Sequence, residues 1–108
     1  MSIATDELYS TLGSDPDLGP MVDLYVDEMP ERINTMIRCL ETGDWQGLRR
    51  AAHYLRGAGC YGFDTITPEA SRLVAVLHDE SDQAAIRRSV HRLVDLCSRI
   101  RGGSGDGF

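Results

Sequence analysis

Apolar residues return every three or four positions in four successive stretches of this chain, and an alternation of period two never persists for more than a few residues. That spacing is the mark of helices with one buried face. The first stripe, Leu18, Val22, Tyr25, Met29, Ile33, Met36 and Leu40, predicts one long amphipathic helix. Pro30 lies inside it, lacks an N–H and crowds the preceding turn, so a kink or a split is expected there. Gly43 ends this stripe, and Asp44 can cap a second helix running from Trp45 to Gly59, closed by the glycines at 57, 59 and 62. The third stripe is Ile66, Ala70, Leu73 and Leu77. Its start is open between Asp64 as a cap and Thr67 followed by Pro68. The fourth, after Ser81 and Asp82, is Ile86, Val90, Leu93, Cys97 and Ile100.

Short connections between four such stripes favour antiparallel neighbours. The expected fold is therefore all-α: an antiparallel up-down-up-down four-helix bundle with a short extra N-terminal helix, around Ala4 to Leu12, packed across one end. Residues 1–101 form one domain. Residues 102–108, with four glycines in seven positions and no periodicity, form a flexible tail. A chain of 108 residues buries one core and no second.

Composition narrows the choice of function. No apolar run approaches the roughly 20 residues of a membrane-spanning helix, and the N-terminus lacks the basic start and apolar block of a secretory signal. A soluble, cytoplasmic protein is expected. The formal net charge of −6 disfavours nucleic acid as a partner, and the arginines at 87, 88, 92, 99 and 101 read as a solvated helix face. Cys39, Cys60 and Cys97 are an odd number with no close pair, so disulfides are not expected, and Cys39 and Cys97 fall on apolar stripes as small core residues. His53, His78 and His91 have neither the i, i+4 pairing nor the cysteine neighbours of a metal site, and no metal is expected. Met21, Met29 and Met36 read as core fillers, Trp45 and Tyr61 as layers over the bundle ends, and His78 and His91 as surface residues.

The chemistry concentrates in the second helix. At about 100° per residue, with Leu48 at 0°, Ala51, Ala52, Leu55 and Gly59 form one narrow stripe, whereas His53 falls at about 140° on the far side. Gly57 lies beside the ring one turn on, and Arg49, Arg50 and Arg56 frame it. Gly57 costs the helix about 1 kcal/mol relative to alanine. Because it lies opposite the core stripe, clearance for a docking partner accounts for it better than packing does. Gly59 lies on the stripe, where close helix contact or chain reversal suffices. Tyr54 flanks the stripe as partial core or as part of a docking surface. An imidazole ordinarily titrates near ~6.5, so an exposed one is a neutral nucleophile at physiological pH.

In these residues the chain resembles the histidine phosphotransfer (HPt) domain of bacterial phosphorelays. The resemblance runs from Tyr25 through Val26-Asp27-Glu28-Met29-Pro30-Glu31-Arg32-Ile33, the Gly43-Asp44-Trp45 junction and Ala52-His53-Tyr54-Leu55-Arg56-Gly57 to Tyr61-Gly62-Phe63, and more loosely over the last two helices. A histidine followed by an aliphatic at i+2, Lys or Arg at i+3 and Gly at i+4 is the family's signature. The resemblance implies that His53 is the phosphoacceptor, with Arg56 the first candidate to contact the phosphoryl group, Arg49 and Arg50 weaker ones, and Gly57 part of the partner-binding face. It implies a phosphocarrier without kinase activity, taking its phosphoryl group from a receiver-domain aspartate and passing it to another receiver. Response-regulator receivers and a sensor histidine kinase would be its partners, no nucleic acid or membrane would be bound, and the chain would act as a monomer. No cofactor is implied on this chain, the magnesium being carried by the receiver.

Two departures from the family pattern stand out. The stretch between Gly57 and Gly62 is one residue shorter than in many members. Some relatives hold the imidazole with a polar residue on the third helix, where this chain offers Leu73, Val74, Ala75 and Val76. Three rival readings weigh less. In the dimerisation helix of a sensor kinase an acidic residue usually follows the histidine, with a proline a few residues on; here Tyr54 follows, and no proline comes before Pro68. A bundle that merely occupies receivers as a decoy or adaptor is the alternative for the same surface. A helical nucleic-acid binder is disfavoured by charge.

Overall fold

The computed structural model describes residues 7–102. The chain runs through a short strand β1 (Leu8–Tyr9) and helix α1 (Gly19–Thr42), then α2 (Trp45–Leu55), a 3-10 segment (Arg56–Tyr61), α3 (Ile66–Val76), α4 (Gln83–Ser98) and a short strand β2 (Ile100–Arg101). Helix α1 packs on α2 and α4, and α3 packs on the same two, so the four helices close a ring with α2 and α4 on opposite corners. The core is the four stripes. Val22, Tyr25, Met29 and Met36 of α1 meet Leu48, Ala52 and Leu55 of α2, Ile66, Ala70 and Leu73 of α3, and Ile86, Val90 and Leu93 of α4, all essentially inaccessible to solvent. An all-α helical bundle is thus what the periodicity specifies.

Local signals set the boundaries. Asp15 starts α1 from outside: its Oδ1 accepts the N–H groups of Asp17 and Leu18 at 2.8 and 2.9 Å, and its carbonyl accepts that of Gly19. Leu18 precedes the helix and Met21 lies at the edge of the stripe, so both are exposed, Met21 by half of its surface; Met21 is not the core filler expected. Helix α1 passes through Pro30 without splitting. Gly43 ends it at φ +72°, a left-handed conformation that glycine adopts without cost. Asp44 and Asp82 cap α2 and α4, accepting the N–H groups of Gly47 and Ala85 at 2.9 and 3.1 Å. Helix α3 starts at the earlier of the two places, at Ile66, but with Thr65 before it and no side-chain cap, so neither Asp64 nor Thr67 caps it, and the Thr67 hydroxyl turns elsewhere.

The N-terminal helix expected over Ala4 to Leu12 is not formed in its described part. Residues 7–12 are a strap. Leu8 and Tyr9 pair in parallel with Ile100 and Arg101, and Leu8 N–H donates to the Arg99 carbonyl at 2.7 Å. Further on, Thr11 N–H donates to the Gly62 carbonyl at 3.1 Å, while the Ser10 hydroxyl donates to the Tyr61 carbonyl and accepts from Leu12 N–H. Backbone groups that a helix would use internally are spent on the ends of α4 and of the 3-10 segment. Ala4, Thr5 and Asp6 lie outside the described residues, as does the expected tail beyond Gly102.

Gly62 carries the strap's contact at φ +83°, and a Cβ there would meet the Ser10 hydroxyl and, at 2.8 Å, the Thr11 nitrogen. Gly62→Ala is expected to cost about 1–3 kcal/mol of stability from the left-handed backbone, before any displacement of the strap. Gly57→Ala, with no atom within 4 Å of its Cβ and no positive φ, should cost nothing. Urea unfolding of the two variants side by side checks the contrast; equal midpoints would show that the strap tolerates a side chain at Gly62.

Candidate functional site

Helix α2 presents His53 because its opposite face is fully committed. Leu48, Ala52 and Leu55 have at most 1% of their surface exposed, and a helix with three buried anchors along one stripe has one rotation, which leaves His53 exposed to solvent. The start of α2 is pinned as well. A Cβ on Gly47 would come within 2.8 Å of Cys39 Sγ and 2.6 Å of Asp44 Oδ2, so glycine here lets the Asp44 cap and the end of α1 close on the helix.

The second helix does not stay α-helical to Gly59 as the stripe predicts. It changes to 3-10 pitch after Leu55, with ψ near −20° at both Leu55 and Arg56. Three glycines in six residues make the α-helix a weak competitor here. Arg56 N–H still donates to the Ala52 carbonyl four residues back, so His53 and Arg56 share one α-helical turn, in which side chains at i and i+3 are neighbours. Arg56 Nη1 lies 3.4 Å from His53 Nδ1. A guanidinium only donates, so Nδ1 can serve only as acceptor in this contact.

The other two arginines are placed differently. The Arg49 guanidinium is engaged by Glu80 at 2.6 Å, by the Leu77 carbonyl at the end of α3 at 2.9 Å and by Gln46 at 3.3 Å. It ties α2 to the α3–α4 connection. Arg50 is exposed and lines a groove between α1 and α2 together with Arg38, Asp44 and Glu31. Among the described residues, Arg56 is the arginine that reaches the ring. Gly57 stands in open space beside it.

Beneath the site lies an aromatic layer that sequence periodicity did not reveal. Tyr25 stacks on Tyr61 at 4.3 Å between centroids, on Phe63 at 5.9 Å and on Tyr54 at 6.1 Å. Burial pushes the Tyr25 hydroxyl far above its ordinary range, so the phenol stays neutral. Tyr54, next to His53 in sequence and more than a third exposed, is held from the solvent side by Arg32, whose guanidinium carbon sits 3.5 Å from the ring centroid. The Arg32 and Tyr54 positions lie far apart in sequence, and only the packing of α1 on α2 joins them. Tyr54 is thereby both partial core and exposed surface.

Thr67, in the sequence only a possible cap, is a polar residue that α3 brings to this region. Its hydroxyl donates to the Arg56 carbonyl at 3.0 Å and accepts from the Gly59 N–H at 3.0 Å. No group of three or more metal-ligating side chains exists among the described residues, and none of their helices is long and apolar enough to cross a membrane.

An exposed histidine in the last turn of α2, an arginine at its ring and an open glycine four residues on are thus mounted together on a four-helix ring. The Hpt domain family matches residues 20–73, half of the chain, from the start of α1 to Leu73 on α3 and including His53, Arg56 and Gly57. The chain belongs to the Hpt domain family, whose members relay phosphoryl groups through a histidine and interact with receiver domains and histidine kinases. Neither curated proteins nor solved structures supply a match.

Proposed function

We propose that this chain is a phosphocarrier in which His53 accepts a phosphoryl group from the aspartyl phosphate of one receiver domain and passes it to the aspartate of another. The observation that carries the reading is the exposed His53 with Arg56 against its ring, at a position inside the Hpt match. In the transfer, a ring-nitrogen lone pair forms the P–N bond as the P–O bond to the receiver's carboxylate breaks. The carboxylate leaves with the electron pair, and the proton on the other ring nitrogen passes to solvent. Arg56 then has phosphoryl oxygens to bind. Its N–H groups can turn from the ring to the incoming anion by side-chain rotation alone, and a charge-assisted pair of this kind is stronger than the contact it replaces.

The chain supplies position and a cation, with no kinase activity of its own; the magnesium and the acidic pocket belong to the receiver. Open space at Gly57 and the Arg32-backed Tyr54 ring lie where the receiver would settle. Arg50 stands at the margin of that surface, and Arg49 contributes through the position of α2.

Incubating the protein with a receiver phosphorylated at its aspartate tests the reading. A carrier takes up label that acid removes and alkali leaves, as befits a P–N bond, and returns it to a second, unlabelled receiver. A decoy that only occupies receivers binds without acquiring label, and that outcome would overturn the proposal.

A further inference from the structure

We propose that Thr67 of α3 is a positioning residue of the phosphoacceptor site, whose hydroxyl anchors the Arg56 backbone where α2 gives way to the 3-10 segment and so holds the guanidinium against the His53 ring. The proposal rests on His53 being the phosphoacceptor and adds to it how the site is held.

The end of an α-helix leaves its last carbonyls without intrahelical donors. At the end of α2 the Arg56 carbonyl receives the Thr67 hydroxyl proton, and the Gly59 N–H, three residues on, finds the same oxygen. One hydroxyl therefore spans the turn as donor at one end and acceptor at the other, and the Arg56-to-Gly59 distance is fixed by a side chain belonging to another helix. Gly59 lacks a side chain where one would crowd this clasp: its Cβ would lie 3.3 Å from Thr67 Oγ1 and 3.4 Å from Asp64 Oδ1. Without the clasp the Arg56 backbone loses its tie to α3, and the guanidinium its fixed base beside the ring. The positions on α3 from Leu73 to Val76 carry no polar side chain for the imidazole. In this chain, α3 acts on the ring indirectly, through the backbone of Arg56.

Thr67→Val keeps the shape of the side chain and removes both hydrogen bonds; Thr67→Ser keeps both. Two quantities are read. The first is the 15N resonance pair of the His53 ring in the unphosphorylated full chain, compared with Arg56→Met as the reference for a ring without its guanidinium. The second is the single-turnover rate of phosphoryl uptake from a phosphorylated receiver, at saturation and as a function of receiver concentration. Thr67→Val is expected to show the ring signature of Arg56→Met. Its saturated rate should fall roughly ten- to hundredfold, as misplacement by about an ångström does, with the half-saturating concentration unchanged. Thr67→Ser should restore both.

Should Thr67→Val fail to fold, Thr67→Cys, which fits the space and hydrogen-bonds poorly, is expected to behave the same way. A wild-type ring signature in the Val or Cys variant overturns the proposal, whether or not the rate or the melting temperature has changed. If wild-type protein never acquires label, the phosphoacceptor reading fails, and the ring resonances still decide whether Thr67 sets the contact.

Discussion

His53→Gln protein is expected to acquire no acid-labile label from a phosphorylated receiver while keeping the helical content and unfolding midpoint of the parent. The two halves of this expectation have separate physical grounds. The imidazole is exposed and takes no part in the buried stripes of α2. Its replacement leaves Leu48, Ala52 and Leu55 in place and removes one solvent-exposed contact to Arg56, so stability should move by no more than about 0.5 kcal/mol. Glutamine resembles the ring in size and polarity, yet its amide nitrogen has no lone pair available to attack phosphorus, and uptake should be abolished rather than slowed. Circular dichroism and label counting on one preparation decide the matter. Label on the Gln variant would place the phosphoacceptor elsewhere, and His78 and His91, both exposed, would be the residues to substitute next.

Gly57→Trp is expected to lower affinity for receivers at least roughly a hundredfold, or about 2.7 kcal/mol, with His53 still reactive toward a small soluble donor such as phosphoramidate. Nothing lies within 4 Å of a Cβ built at Gly57, so the fold accepts a side chain there without strain. An indole at this position projects into the space that a partner needs in order to reach the ring. A partner brings a rigid surface, and a small donor does not. Gly57→Ala separates the two effects, because it adds a methyl group without the bulk and should bind nearly as well as the parent. Binding by titration, beside uptake from both donors, makes the comparison. Undiminished receiver affinity in the Trp variant would remove the clearance role and leave the glycine as a feature of the turn alone.

The bundle and the exposed ring were legible in the sequence because both follow from one periodicity. A stripe of Leu48, Ala52 and Leu55 that is buried on one side fixes what is exposed on the other, and no tertiary knowledge is needed to place His53. The arginines were legible only by angle. Arg49, Arg50 and Arg56 all flank the ring on a helical wheel, and what distinguishes them is where long side chains find partners: Arg49 finds Glu80 and the end of α3, and Arg56, one turn from the ring, has its carbonyl held by Thr67. Thr67 lies 11 residues along, and a stripe of apolar residues cannot reveal a hydrogen bond to a distant carbonyl. The N-terminal strap escaped for a related reason. Leu8 and Leu12 suit a helix face, but Ser10 and Thr11 compete for backbone partners, and the strand pairing that decides the outcome lies at the other end of the chain, at Ile100 and Arg101.

The engagement of Arg49 by Glu80 also bears on how fast a partner can be met. It leaves Arg56 as the guanidinium at the His53 ring, with Arg50 and Arg32 further out, on a chain whose net charge is −6. A receiver brings its own acidic pocket, and beyond the roughly 8 Å over which physiological salt lets charges act the two molecules offer each other no electrostatic guidance. Encounters should proceed at the unsteered rates of about 10⁵–10⁷ M⁻¹s⁻¹. Discrimination among receivers is then exercised after collision, by the fit of surfaces around Tyr54 and Gly57, and the length of time each complex survives governs which partner is served.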